Sequence, residues 1–180
     1  MKVLNNMNEF YPSQSYYTTK TFDIIGLSNF QYLQIEGSND KVLKWMDEKA
    51  GIDWLLIDKD DEGYGVATRN RFFNPDKPTM YPDFTIRCEL YDNIKSEYMK
   101  RTNSIKNNSM YPWFQMQSWW SASIFQAAAI GRTIDIYDFI KNNINDPKLV
   151  KKEHSNRPFY AVGWNNMKNQ NYSVYITGSL

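Results

Sequence analysis

The amino-acid sequence predicts a mixed α/β (α+β) fold, a single domain with a central mixed β-sheet flanked by helices. Three observations carry that reading. From residue 38 to residue 106 the apolar residues pass from a helical spacing to three short strand patterns and back to a helical spacing. Glycine, proline and acidic clusters punctuate the passages between those segments, as turns require. The chain has 180 residues, which suffices for one domain with a full core and does not require two.

Residues 1–20 are polar and aromatic without a sustained period and read as an arm, either disordered or loosely packed. Phe22-Asp23-Ile24-Ile25 and Phe30-Gln31-Tyr32-Leu33-Gln34-Ile35 suggest two extended pieces around a bend, the second suited to an edge strand or to a lead-in to the first helix. Ser38 or Asp40 can cap a helix over residues 39–50, where Val42, Leu43, Met46 and Ala50 form the apolar side and Gly51 closes the last turn. Residues 52–57 are an apolar run rich in strand formers, residues 58–63 a charged turn, and residues 64–72 the returning arm of a hairpin. Over residues 83–90 polar and apolar alternate, which turns Phe84, Ile86, Cys88 and Leu90 inward. Ile94, Tyr98, Thr102 and Ile105 mark the packed side of a helix. Its other side carries Lys95, Glu97, Lys100, Arg101 and Lys106, with Glu97 and Arg101 spaced to pair.

Residues 111–120 read as a strand with Trp113, Gln115 and Gln117 on one face and Phe114 and Met116 on the other. Residues 122–131 are small and apolar, and periodicity leaves strand and helix both open. Thr133 is placed to cap a helix whose stripe is Ile136, Phe139 and Ile140. Asp146-Pro147 with Lys148, Lys151 and Lys152 reads as a solvated connector. Residues 159–164 and 172–176 read as a closing hairpin within residues 155–180.

Formal net charge is +1 at pH 7, so binding to a polyanion must come from a local patch. One cysteine excludes an intramolecular disulfide, and a single histidine, His154, leaves no Cys/His set for structural zinc. No window approaches the length of an apolar membrane span and the first residues lack a leader pattern, so a soluble, cytoplasmic protein without a membrane partner is expected. The richness in Asn, Lys, Ile and aromatics is similar to that of proteins from AT-rich bacterial or phage genomes.

The order helix, three strands, helix, strand over residues 38–120, with Asp53 in Gly51-Ile52-Asp53-Trp54 at the head of the first strand, resembles the common core of the PD-(D/E)XK, or restriction-endonuclease-like, nuclease superfamily. The resemblance implies a phosphodiesterase whose Mg²⁺ is held by an acid on one strand and a Glu-any-Lys triplet on the next, because a hard cation takes oxygen ligands and a lysine offsets the developing charge. Asp53 stands where the lone acid belongs and Glu48 where some members carry another. The triplet itself is replaced by Ala67-Thr68-Arg69-Asn70-Arg71. The expected metal ligands are therefore Asp53 and Glu89, with Glu48 as an accessory acid and Lys100, or Lys95 or Arg101, as the catalytic positive charge. Arg69, Arg71, Arg87, Arg101, Gln115 and Gln117 are the expected nucleic-acid contacts. If the hairpin keeps an odd pairing sum, Asp53 and Asn70 share one face and Arg69 and Arg71 the other.

Plainer roles stand beside these. Glu89 can pair with Arg69, Arg71 or Arg87 across strands, and Gln115 and Gln117 can be a strand's polar side. Trp113, Trp119 and Trp120 beside Lys100, Arg101 and Lys106 suit a single-strand stacking platform. Exposed Trp119-Trp120 with the C-terminal hairpin would instead suit a non-enzymatic protein-binding factor, such as an inhibitor of a host defence enzyme. Burial in the core is preferred for Trp54 and Trp113. The leading expectation is a DNA-processing or DNA-binding protein of a phage or mobile element.

Overall fold

A computed structural model describes residues 7–72, 79–88, 96–153 and 158–179, with side chains from residue 14 onward. Helix α1 (Met7–Ile24) takes up most of the segment read as an arm and the first piece read as extended. Its inner side lacks an apolar stripe, which hides it from a periodicity reading. Two threonine hydroxyls are absorbed within the helix: Thr19 donates to the Ser15 carbonyl at 3.1 Å and Thr21 to that of Tyr17 at 2.8 Å. Thr18, Thr21 and Phe22 are buried against the sheet.

Strand β1 (Gln31–Gln34) is the expected edge strand. Helix α2 (Lys41–Trp45) is capped by Asp40, whose carboxylate accepts from the amides of Val42 and Leu43. It continues into a π turn, Met46–Ala50, closed by Gly51 in the left-handed region. The hairpin of β2 (Trp54–Ile57) and β3 (Gly63–Phe72) follows, with Asp58 accepting from the turn amides of Asp60 and Glu62. After β4 (Asp83–Arg87) comes α3 (Glu97–Lys106), capped by Ser96. The ambiguous alanine run is a strand: β5 (Phe114–Ser121) and β6 (Ile124–Arg132) form a hairpin. Then come α4 (Thr133–Asn143), β7 (Val150–Glu153), β8 (Phe159–Gly163), α5 (Trp164–Asn169) and β9 (Val174–Gly178).

The strands form a mixed sheet in the order β1-β2-β3-β5-β6-β9 and a second sheet in the order β4-β8-β7. Every pairing in the large sheet is antiparallel except β3 with β5, whose connection runs through β4 and α3. One face buries Trp54, Leu56, Val66, Met116 and Ala128 against Phe22 of α1. The other packs Trp119, Ala127 and Ala129 against Ile136, Phe139 and Ile140 of α4, Trp164 and Met167 of α5, and Phe84, Ile86 and Val162 of the second sheet. At roughly 1.5–3 kcal/mol per large apolar side chain removed from water, this is the larger reserve of stability.

Several sequence expectations are corrected. The third strand, β4, leaves the main sheet, because Phe84, Thr85 and Ile86 are all buried between the two sheets and neither of its faces meets water. The closing hairpin does not form. β8 and β9 lie in different sheets, separated by α5. The lysine-bearing connector includes a strand, β7. Thr133 does not cap α4; the cap position is Arg132, and the Thr133 hydroxyl is buried. Trp119 and Trp120 are 5% and 3% exposed and so offer neither a stacking platform nor a docking patch, whereas Trp113 is 58% exposed. Finally, Trp54 pairs with Val66, an even sum, so Asp53 shares its face with Arg69 and Arg71 and not with Asn70.

Candidate functional site

β3 has ten residues and β2 only four, so residues 67–72 of β3 run on past the end of their partner. Asp53, one residue before β2, closes the ladder there: its main-chain amide donates to the Val66 carbonyl at 2.9 Å, and its Oδ2 accepts the Thr68 amide at 2.6 Å. The open flank of β3 borders a cavity of about 380 Å³. Its wall carries the carboxylates of Glu36, Asp53 and Glu97, the guanidinium groups of Arg69, Arg87 and Arg101, and the amides of Gln14, Gln34, Asn70, Gln115 and Gln117.

Register explains the convergence. The parallel pairing sets Ala67 beside Gln115, Arg69 beside Gln117 and Arg71 beside Trp119, all on the face turned to the second sheet. Thr85 of β4 meets them there. Its hydroxyl accepts from Arg71 Nη2 at 2.6 Å and donates to Gln117 Oε1 at 3.2 Å, while its carbonyl accepts from Arg69 Nη1 at 2.7 Å. Arg71 also lies 5.6 Å from the centre of the Trp119 ring. Asn70 points the other way, to α1, where it donates to Thr18 Oγ1 at 2.8 Å and accepts from Ser118 at 2.7 Å.

From α3, Arg101 reaches inward instead of to solvent, correcting its place on the outer side of the helix; it is 8% exposed. Its Nη2 donates to the Gly51 carbonyl at 3.1 Å, and its Nη1 stands 3.0 Å from Glu97 Oε1. A side chain on residue 51 would stand 2.9 Å from Nη2, so glycine serves both the left-handed turn and this approach. Burial pulls the Arg101 pKa down, but Glu97, Tyr137 and Asp53 outweigh it and the net direction is up.

Burial pushes the Asp53 carboxyl up to about 7, against the Thr68 amide and Arg101 and aided by the negative Glu36 and Asp47. Glu36 is raised by burial and then by Asp47, and Asp47 by burial and then by Glu48. Asp83 is pushed up to about 6 by burial, with Arg71 and Gln117 opposing. Near neutral pH Asp53 is therefore divided between its protonated and ionised forms, which suits acid–base work.

Of the residues expected to act together, Asp53, Arg69, Arg87, Arg101, Gln115 and Gln117 do line one cavity. Arg71 lies behind it, between the sheets. Glu48 and Lys100 line a smaller neighbouring cavity of about 230 Å³, which shares Arg87, Glu97 and Arg101 with the first. Glu89, Lys95 and His154 lie outside the described residues. Among the described residues no three His, Cys, Asp or Glu side chains are placed to hold a metal ion. At the triplet position, Thr68 supplies an amide to Asp53, and Arg69 is engaged with Thr85 and Glu97. Sequence reasoning missed Glu36, Thr85 and the inward role of Glu97. Only the Glu97–Arg101 spacing gave a signal.

No protein-family model matches the chain, and neither a curated protein nor a solved structure matches it. Among the described residues no helix is long and apolar enough to cross a membrane.

Proposed function

We propose that this chain binds nucleic acid, seating a phosphodiester in the cavity beside β3. One observation carries the reading: three arginines, four glutamines and the carboxylates of Glu36, Glu97 and Asp53, the last titrating near neutrality, converge on a single cavity at the open end of the β2–β3 hairpin. Guanidinium groups suit phosphate because their planar N–H pairs match its oxygens, and the side-chain amides can bond sugar or base edges. From α2 to β5 the chain keeps the order helix, three strands (β2, β3, β4), helix and strand, with β4 in the second sheet; that order, β3 parallel to β5, and Asp53 at the head of β2 support the nuclease-like reading. Phosphodiester hydrolysis belongs to the same proposal through Asp53 and Glu89 as the residues that would hold Mg²⁺, which would polarise the phosphate and its attacking water.

The test is fluorescence anisotropy with labelled single-stranded DNA, duplex DNA and RNA over a salt series, run with and without Mg²⁺ or Mn²⁺. Binding that weakens with salt is expected for one of the three. Arg87→Ala, which removes an exposed guanidinium, should lower the salt slope by about 1. Absence of salt-dependent binding to all three overturns the proposal. Cleavage of the bound strand with either metal, lost in Asp53→Ala, supports the catalytic part; binding without cleavage removes that part alone.

A further inference from the structure

Glu97 occupies an unusual place for a surface-helix carboxylate. Both of its oxygens are engaged from the cavity side: Oε1 by Arg101 Nη1 at 3.0 Å, Oε2 by the Arg87 amide at 3.3 Å and by Arg69 Nη2 at 3.6 Å. Three donor groups from three separate elements thus surround one anion. The Arg87 guanidinium lies on the same wall and has no partner among the described residues.

We propose that Arg69, Arg87 and Arg101 form a phosphoryl-binding site that the chain's own Glu97 carboxylate occupies, so that an incoming phosphate must displace Glu97. The inference rests on reading the cavity as a phosphate site. A carboxylate and a phosphate present the same acceptor pair to a guanidinium fork, so one substitutes for the other without rebuilding the wall. Glu97 stands in the partition between the two cavities, and Lys100 and Ser104 line the smaller one. A change of side-chain rotamer therefore carries the carboxylate from the arginines toward Lys100, three residues along the same helix face.

The experiment measures inorganic phosphate binding by titration calorimetry for the native chain, Glu97→Gln and Glu97→Gln/Arg87→Ala, each checked for a cooperative thermal transition. Removing the competing negative charge should tighten phosphate binding by about tenfold or more in Glu97→Gln, and the second substitution should abolish that gain. A folded Glu97→Gln that binds phosphate no better than the native chain overturns the inference. If Glu97→Gln does not fold, Glu97→Asp carries the test, because it keeps the charge and withdraws it by one methylene; tighter phosphate binding is expected, and unchanged or weaker binding overturns the inference. The two readings fail separately. A phosphate gain with no nucleic-acid binding by either protein removes the polymer and leaves the site, whereas nucleic-acid binding with no phosphate gain removes the role of Glu97 alone.

Discussion

Asp53→Asn is the perturbation with the clearest sign. A carboxyl near 3.8 in the unfolded chain and about 7 in the fold binds its proton more tightly when folded. Its contribution to stability is therefore greatest at low pH, and it declines as the pH rises from about 4 to about 7, where the unfolded chain has released the proton and the folded chain has not. About three pH units at 1.36 kcal/mol each give on the order of 4 kcal/mol of destabilisation above pH 7. Asparagine removes the titration and keeps an oxygen for the Thr68 amide. The unfolding free energies of variant and native protein, from urea titrations at pH 4 and pH 8, should differ by less than about 1 kcal/mol at pH 4. At pH 8 the variant should be more stable by a few kcal/mol. Asp83 also titrates upward in the fold, but it is present in both proteins and cancels in the difference. A variant destabilised equally at both pH values would refute the burial argument and leave Asp53 as an ordinary ladder cap.

Two further substitutions test how the cavity is held. Gly51→Ala places a β-carbon at φ +66° against Arg101, and urea unfolding should show a loss of about 2 kcal/mol from the left-handed strain and the displaced guanidinium. Ser118→Ala strips the hydrogen bond that Asn70 Oδ1 accepts at 2.7 Å and the one that Trp120 Nε1 donates at 3.0 Å. Leaving the buried Trp120 indole N–H and the half-buried Asn70 amide oxygen unpaired should cost roughly 1–3 kcal/mol by the same measurement, and a change below about 0.5 kcal/mol would show that water replaces the hydroxyl.

The hairpin carrying Asp53 was legible because its turn chemistry is local: an acidic residue able to accept from the turn amides, then a glycine, between two strand patterns. The cap at Asp40, the glycine closing at Gly51, the Glu97–Arg101 pair and the Ile136–Phe139–Ile140 stripe were legible for the same reason. Each needs only residues within about one helical turn of itself. Helix α1 was not, since Thr18 and Thr21 sit buried where apolar residues would have given a period.

The alternation in β5 determined that Gln115 and Gln117 lie on the face opposite Phe114 and Met116. It could not determine what that face meets. Tertiary structure decided that a second sheet covers it, so residues that would be solvated on a free sheet become the lining of a cavity and the partners of Thr85. It likewise sent β8 and β9 to different sheets and turned Arg101 inward. The physical reason is that local propensity and periodicity specify a segment's conformation and which of its residues share a side. The burial and charge state of that side depend on atoms far away in the chain, packed against it only in the fold.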